Sequence, residues 1–461
     1  MKTLRDPQQL LANGLNEIRA QFNVPEGFSP EQVRAAEQAA ARAPSSHADW
    51  TDRNFMTLDP AESNDLDQAF AIELAGADIL LHYAIADVAW FVDDGDALDA
   101  EAWERGTTTY LPDGKASLYP PVLSEKAASL LPDGTRPAIV LSVRVAPDGS
   151  VKLDDANRAL IRSRAKLAYE TVKDADLPEG FVQLAARLAE AEVRRGAARI
   201  DPPEQQLERD DDGAYSLSFR PYAPAEQHNA SLSLAANIAV ADAMLEAGEG
   251  LFRVMSLPDE DAIAQLRLTA AALALDWPPE MPLTQFERRL DPTGRRDASF
   301  MLAIRRASRG ANYRPFEQGK LPWHAAIAAP YAHCTAPLRR LADRYVLHAV
   351  LAIVKGQPVP GNVCSAFEKL PKVMARAGSR DSQIDRAVFD LAEVAMLANS
   401  EGETFQAVVT DLRKGNARIQ LCDLPVVAQT LASNVLPGDT VQVQLVSANP
   451  GQRKLEFQYI G

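Results

Sequence analysis

Apolar residues recur at helical spacing twice near the start of the chain, over residues 7–22 and 29–42, and predict two short helices. The second opens on Ser29-Pro-Glu-Gln32, a capping box with proline at the first helical position. From residue 66 to 74 the period shortens to two, as in a strand with one buried face. Further alternating segments are broken by Pro-Asp-Gly at 112–114, 132–134 and 147–149, which predicts turns between strands. Helical periodicity dominates from about residue 183 to 398. Within it, 331–354 is an apolar-periodic segment with Thr335 placed as N-cap and Pro337 in the first turn. After Asn399 the pattern changes to five short strands at 403–410, 416–421, 426–430, 438–445 and 454–458, with Gly415 and Pro437-Gly438 at turns, which suits a small OB-type barrel. The expected organisation is α+β: a helical unit over 1–46, a catalytic-sized core over 47–398 and a barrel over 399–461.

A chain of 461 residues with 46% hydrophobic and 24% charged residues can bury a large core and is expected to hold two or three domains. No apolar run reads as long enough to span a bilayer, and the polar start Met1-Lys-Thr-Leu-Arg-Asp-Pro7 carries no signal-type apolar segment, so a cytoplasmic location is expected. Cys334, Cys364 and Cys422 are few, odd in number and far apart, which points to reduced thiols rather than a disulfide framework or a zinc site. The six histidines show no ligand spacing either.

The net charge of −15 looks unsuited to a polyanionic partner until its distribution is read. Residues 47–104 hold 15 Asp or Glu against one Arg, a balance of −14. Residues 288–314 hold eight Arg (288, 289, 295, 296, 305, 306, 309 and 314) against Asp291 and Asp297, a balance of +6. A segregated basic segment can line a phosphate-binding channel while the rest of the surface stays acidic; the same arginines can also pair with the acidic segment.

Two stretches carry candidate chemistry. Residues 57–69 read Thr-Leu-Asp-Pro-Ala-Glu-Ser-Asn-Asp-Leu-Asp-Gln-Ala and crowd Asp59, Asp65 and Asp67 together. Positions 65 and 67 share a face of the expected strand, and Asp59 returns to them through the turn formers Pro60, Ser63 and Asn64. Carboxylates that close raise one another's pKa unless a cation neutralises them, and all-oxygen ligands favour Mg²⁺ or Mn²⁺. The same residue types build solvated acidic turns, so the stretch alone leaves both readings open. In the second stretch, Tyr331-Ala-His-Cys-Thr-Ala-Pro-Leu-Arg-Arg-Leu-Ala-Asp343, Arg339 and Arg340 fall near an expected helix N-terminus, where two guanidiniums and free N–H groups suit a phosphate. An arginine pair on a solvated helix face is the alternative.

Taken together, these stretches resemble the RNB catalytic domain of the ribonuclease II and ribonuclease R family of 3′-to-5′ exoribonucleases. The resemblance continues in order through Tyr83-Ala-Ile-Ala-Asp-Val88, Arg105-Gly-Thr-Thr-Thr-Tyr-Leu-Pro112, Leu167-Ala-Tyr-Glu170, Arg195-Gly-Ala197, Asn237, Ala311-Asn-Tyr313 and the Thr-Ala-Pro-Leu-Arg-Arg block. There are departures. Gln68 stands where the family has a fourth acid, Cys334-Thr-Ala-Pro-Leu338 replaces Phe-Thr-Ser-Pro-Ile, and Ala230 and Ser231 replace paired glutamates. The second aromatic that sandwiches the terminal base in relatives has no assigned counterpart. Many bacterial relatives begin with two cold-shock barrels, which 46 residues cannot hold; the helical unit here suits either helix-turn-helix binding or a packing role.

The resemblance implies a processive, Mg²⁺-dependent hydrolase (Mn²⁺ as the alternative ion) releasing nucleoside 5′-monophosphates from the 3′ end of single-stranded RNA. Asp59, Asp65 and Asp67 would hold metal, with Gln68 a weaker ligand, and Asp67 would be indispensable. Arg339 would clamp the phosphate, Tyr110 would stack on the terminal base, and Arg340, Tyr313 and Asp385 would line the substrate path. In the OB segment Arg413, Lys414, Arg418, Arg453 and Lys454 would contact phosphates, with Phe405 and Phe457 as either stacking platforms or core. No obligate protein partner and no membrane is expected. Two alternatives stay open on Gln68 and on the carboxylates: a catalytically weakened RNA-binding protein, or a metal-dependent phosphatase or DNA exonuclease.

Overall fold

The computed structural model of the protein describes residues 2–4, 9–197, 204–209, 215–220, 224–291, 294–308, 310–413 and 415–461. The architecture is α+β, built around a seven-stranded mixed sheet. Its spatial order is Ser163–Ala168, Phe55–Asp59, Gln68–Ala75, Asp78–Ala86, Arg136–Val145, Val151–Ile161 and Ala48–Asp49. The outer pairs are parallel and the inner strands antiparallel, with hairpins joining Gln68–Ala75 to Asp78–Ala86 and Arg136–Val145 to Val151–Ile161. Pro-Asp-Gly at 147–149 makes one such hairpin, and Pro-Asp-Gly at 112–114 closes a small ribbon of Thr109–Leu111 with Gly114–Ala116. The helices Pro224–Ala247 and Leu341–Val354 cover the sheet and bury Leu232, Ala236, Val240, Val346 and Val350 against it. Pro224–Ala247 is long and apolar enough to cross a membrane by length and composition, contrary to the expectation from sequence. Its apolar residues pack into the central core instead of facing out.

The N-terminal helices are Leu10–Gln21 and Pro30–Ala40; residues 7 and 8 of the first expectation lie outside the described residues. The capping box forms as expected: the Gln32 N–H donates to Ser29 Oγ at 3.3 Å and the Ser29 N–H donates to Gln32 Oε1 at 2.8 Å. The two helices serve different cores. Leu11, Leu15 and Ile18 pack with Ile384 and Leu391 of the long helix Gly361–Leu397, whereas Ala36 and Ala39 join the core under the sheet.

The barrel closes in the order Thr404–Arg413, Asn416–Leu421, Val427–Leu431, Lys454–Tyr459, Thr440–Asn449, matching the five expected strands. Alternation along Asn416–Leu421 turns Ala417, Ile419 and Leu421 inward. The barrel core is continuous with the end of the long helix, through Val388, Ala392 and Met396. There the Glu393 carboxylate accepts from the Val427 N–H and from Gln205 Nε2, both at 2.8 Å. A third cluster around Trp277, Phe286 and Phe300 holds the helices Glu260–Ala272, Leu283–Glu287 and Arg295–Ala307 together, and Arg306 ties this unit to the barrel through Asp411 at 3.2 Å.

Candidate active site

Asp59 ends the strand Phe55–Asp59 and Gln68 begins the strand Gln68–Ala75. Residues 60–67 between them are irregular rather than the strand start expected from 66, yet the alternation survives: Leu66 is fully buried and Asp65 and Asp67 point away from it. The segment is held by the Leu66 N–H donating to Ser129 Oγ at 2.9 Å and the Ala86 N–H donating to the Asp67 carbonyl at 2.9 Å.

The arginine block corrects the expected helix start. The helix begins at Leu341, with Arg340 at its N-cap, and 335–340 form a tight turn in which the Arg339 and Arg340 N–H groups donate to the Ala336 carbonyl. Pro337 and the following carbonyls are placed by this turn, while Thr335 bonds Ser233 Oγ at 2.9 Å rather than capping a helix. Asp343 takes the Ala336 N–H at 2.8 Å and the Arg340 guanidinium at 2.8 Å, which leaves the Leu338 N–H to donate to Asp67 Oδ1 at 2.7 Å. Arg339 Nε lies 3.3 Å from Asp67 Oδ2 with its side chain 46% exposed. The turn thus delivers one arginine to the carboxylates and keeps the other in the wall.

Tyr110 arrives from the opposite side. Gly106, at φ +74°, ends the helix Ala97–Arg105; a Cβ there would sit 2.9 Å from Ala377 Cβ, so the chain needs glycine to turn past the long helix. Residues 106–109 then pair with 339–341: the Thr108 N–H donates to the Arg339 carbonyl and the Leu341 N–H to the Gly106 carbonyl, each at 3.0 Å. Asp381 braces this ladder, accepting from Thr107 Oγ1 at 2.7 Å and Thr109 Oγ1 at 2.8 Å. The Tyr110 hydroxyl reaches Asp65 Oδ2 at 3.3 Å, and Lys115, its partner across the ribbon, reaches Asp65 Oδ1 at 3.0 Å.

Burial pushes the Asp67 carboxyl up to about 7, against the pull of Arg339 and the Leu338 N–H. Burial likewise raises Asp59 to about 6, opposed by Arg339. The Tyr110 hydroxyl is raised by burial and by the Asp65 charge. Two buried carboxyls raised toward neutrality suit a hard divalent cation, which would compete with their protons. Among the described residues no three acidic, His or Cys groups stand close enough to clasp an ion as they are; Lys115 and Arg339 occupy carboxylate oxygens that an ion would take. Once those two contacts give way, Asp59, Asp65 and Asp67 are the groups that could hold it. The amide oxygen of Gln68 instead accepts from the hydroxyl of Tyr83, which is fully buried.

A cleft of about 850 Å³ opens on this cluster and is lined by Asp59, Gln68, Tyr169, Asn229, Arg305 and Arg339. The structure brings Asp59, Asp65, Asp67, Gln68, Arg339 and Tyr110 together. It places Tyr313 behind them, its hydroxyl 2.8 Å from His333 Nδ1 and its ring under the Arg253 guanidinium at 4.5 Å. Arg340 stands in the same layer, bound to Asp343. Asp385 is exposed on the long helix, one turn beyond Asp381. Within the basic segment, Arg305 faces the cleft, but Arg288 donates to the Val193 and Ala197 carbonyls and Arg306 binds the barrel. Arg309 and the side chain of Arg295 lie outside the described residues. On the barrel Arg418 is exposed, Lys454 pairs with Glu456 at 2.8 Å and Arg453 binds Gln21; Lys414 and the Arg413 side chain lie outside the described residues. Phe457 is buried in the barrel core, as the core alternative has it, and half-buried Phe405 packs against that core, edge to face with Phe457 at 6.2 Å.

Lys115 and Asp381 carry no expectation from the sequence, and Tyr83 stands there only inside a resembling segment, with no role at the site. Lys115 follows from the Pro-Asp-Gly ribbon, whose register sets it opposite Tyr110. Asp381 sits on a helix 272 residues from Thr109 and has no local signal.

Comparison with known proteins gives a consistent picture. Residues 47–356 match the RNB domain, and residues 403–460 match the RNase II-type exonuclease C-terminal S1 domain. Ribonuclease R of Thermotoga maritima is 29% identical over 425 residues, covering 85% of this chain and 59% of the relative. The chain thus spans about three fifths of the length of such curated relatives. Among solved structures, Mycoplasma genitalium RNase R in complex with ribose methylated single-stranded RNA superposes with a TM-score of 0.86 at 18% identity, over 100% of this chain and 79% of the other. Yeast Ssd1, described as a pseudonuclease, superposes with a TM-score of 0.72 at 14% identity, over 96% of this chain and 59% of the other.

Proposed function

We propose, from the premise that this chain belongs to the RNB family of ribonuclease II-type proteins, that it is a processive, Mg²⁺-dependent hydrolase removing nucleoside 5′-monophosphates from the 3′ end of single-stranded RNA in the cytoplasm, with Mn²⁺ as an alternative ion. The observation that carries this reading is the convergence of Asp59, Asp65, Asp67 and Arg339, with Asp59 and Arg339 lining a cleft and the Leu338 N–H fixing Asp67. A bound Mg²⁺ would polarise the phosphate and lower the pKa of an attacking water.

The chain's own residues supply the rest. Asp59, Asp65 and Asp67 would present the oxygens, the latter two giving up their contacts with Lys115 and Arg339 in part. Arg339, half-exposed and planar, would clamp the phosphate and stabilise charge that grows on its oxygens in the transition state. Tyr110, 48% exposed, offers a ring face that any base can stack on, so cleavage would tolerate sequence. The S1 domain would capture the strand through exposed cations such as Arg418.

Gln68 favours one second reading, an RNA-binding protein that has lost turnover. A metal-dependent time course on RNA and DNA oligonucleotides, labelled at either end, separates these. Stepwise shortening of RNA from its 3′ end with release of mononucleotides, and poor cleavage of DNA, is expected. RNA that binds and stays intact would favour the pseudonuclease, and equal cleavage of DNA would sink the ribonuclease assignment.

A further inference from the structure

The position where a fourth acid is expected is occupied by Gln68, whose amide oxygen accepts from the hydroxyl of Tyr83, next to a hydrogen-bond network that starts at a backbone donor. The Cys334 N–H, which can only donate, gives its proton to Asn237 Oδ1 at 2.9 Å. That fixes the Asn237 amide, so its Nδ2 is the donor toward the hydroxyl oxygens of Ser233 at 3.4 Å and Tyr331 at 3.2 Å. Ser233 Oγ sits against Thr335 Oγ1 at 2.9 Å, and the Tyr83 hydroxyl gives its one hydrogen bond as a donor to Gln68 Oε1. Tyr83 is fully buried and Asn237 is 1% exposed, so neither can turn to another partner in solvent. The atom of Gln68 fit to ligate a hard cation is thereby taken up, Nε2 has no protein partner among the described residues, and the residue lines the cleft together with Asp59 and Arg339.

Resting on the phosphodiesterase reading above, we infer that Gln68 is a hydrogen-bond donor to the substrate phosphate rather than a metal ligand, with its direction set by the hydroxyl of Tyr83. A neutral donor here stands beside the Arg339 guanidinium and shares its task. The cation then rests on Asp59, Asp65 and Asp67 alone.

The test is a pair of titrations that need no turnover. Mn²⁺ binding is followed by the electron paramagnetic resonance signal of the free ion, and adenosine 5′-monophosphate binding is followed by calorimetry at saturating Mn²⁺, for wild type, Gln68→Met, Gln68→Glu and Tyr83→Phe. Gln68→Met should leave Mn²⁺ affinity within two-fold and weaken the nucleotide about ten-fold, the scale of one hydrogen bond to a charged group. Gln68→Glu keeps an acceptor for Tyr83 and the side-chain shape, and stays informative if methionine disturbs folding; it should weaken the nucleotide at least as much. Tyr83→Phe releases the amide and should give a smaller loss. A ten-fold fall in Mn²⁺ affinity on Gln68→Met, or unchanged nucleotide affinity in both Gln68 variants, would overturn the inference. The ribonuclease reading fails by a different result, wild-type protein that binds Mn²⁺ and leaves RNA intact.

Discussion

The Leu338 N–H donates to Asp67 at 2.7 Å across 271 residues of sequence, and this one bond couples the carboxylate cluster to the turn that aims Arg339. Each partner positions the other. A carboxylate that would hold metal also caps the turn, so the charge and the shape of Asp67 do separate jobs.

That separation is measurable. Asp67→Asn keeps an oxygen to accept from Leu338 but removes the charge. RNA hydrolysis should fall by about three orders of magnitude or more, with melting temperature near that of wild type and RNA affinity within a few-fold. Asp67→Ala should lose stability as well, because a buried backbone N–H is left unpaired at a cost of about 1–3 kcal/mol. Single-turnover cleavage beside equilibrium binding and thermal melts checks both; an Asp67→Asn protein that trims RNA normally would refute the site.

Metal affinity should depend on pH with a defined sign. Burial holds Asp59 near 6 and Asp67 near 7, above the ordinary carboxylate value, so the metal-free folded protein binds protons that the unfolded chain has released. Its stability should decline as pH rises from about 4 through 7. Divalent ions compete with those protons, so Mg²⁺ affinity should climb over pH 5.5–7.5 and then level off, with proton release on binding. Calorimetry in buffers of different ionisation enthalpy reads the released protons; pH-independent affinity would mean that Asp67 is ionised without metal.

Tyr110 is placed by the ladder that also carries Arg339, and the two should fail differently. Tyr110→Ala should weaken RNA binding by about 1–3 kcal/mol, the scale of one base stack, and leave the mononucleotide products unchanged. Arg339→Ala should cut the cleavage rate steeply while binding changes little, because its contact strengthens as charge develops. Equal effects of both on affinity would show that Arg339 serves binding alone.

Glu393 offers a stability test away from the cleft. Burial raises its carboxyl to about 7, although the Gln205 and Val427 donors pull it down. Wild type therefore loses stability as pH rises from about 4.5 through 7, when this buried group must ionise. Glu393→Gln keeps an acceptor and never ionises, so it should melt a few degrees higher than wild type at pH 8 and at the same temperature at pH 5. A Glu393→Gln variant less stable than wild type at pH 8 would show that the charge itself holds the barrel.

The legible and the illegible parts divide by the range of the contacts. Strand alternation in the barrel and the capping box at Ser29 are local, and residues spaced by two or three positions report them directly. The carboxylates are legible because crowding of Asp59, Asp65 and Asp67 is itself a chemical signal. The start of the helix at Leu341 is not, because Thr335 is a good N-cap in isolation and is taken instead by Ser233, 102 residues away. Tyr83 and Asp381 act across the fold as well, one from a buried strand and one from a distant helix. Spacing along the chain carries no trace of such partners.

The helix Gly361–Leu397 grips the segment that carries Tyr110 through Asp381 and the barrel through Glu393, twelve residues apart, which on a 1.5 Å rise is about 18 Å of rigid rod. For a strand held at both stations this rod acts as a fixed gauge. An oligonucleotide too short to reach the barrel from the cleft gains nothing from it, whereas one just long enough gains its full share of avidity. Affinity plotted against RNA length should therefore rise as a step rather than a slope, with the step moving if residues are inserted between 381 and 393.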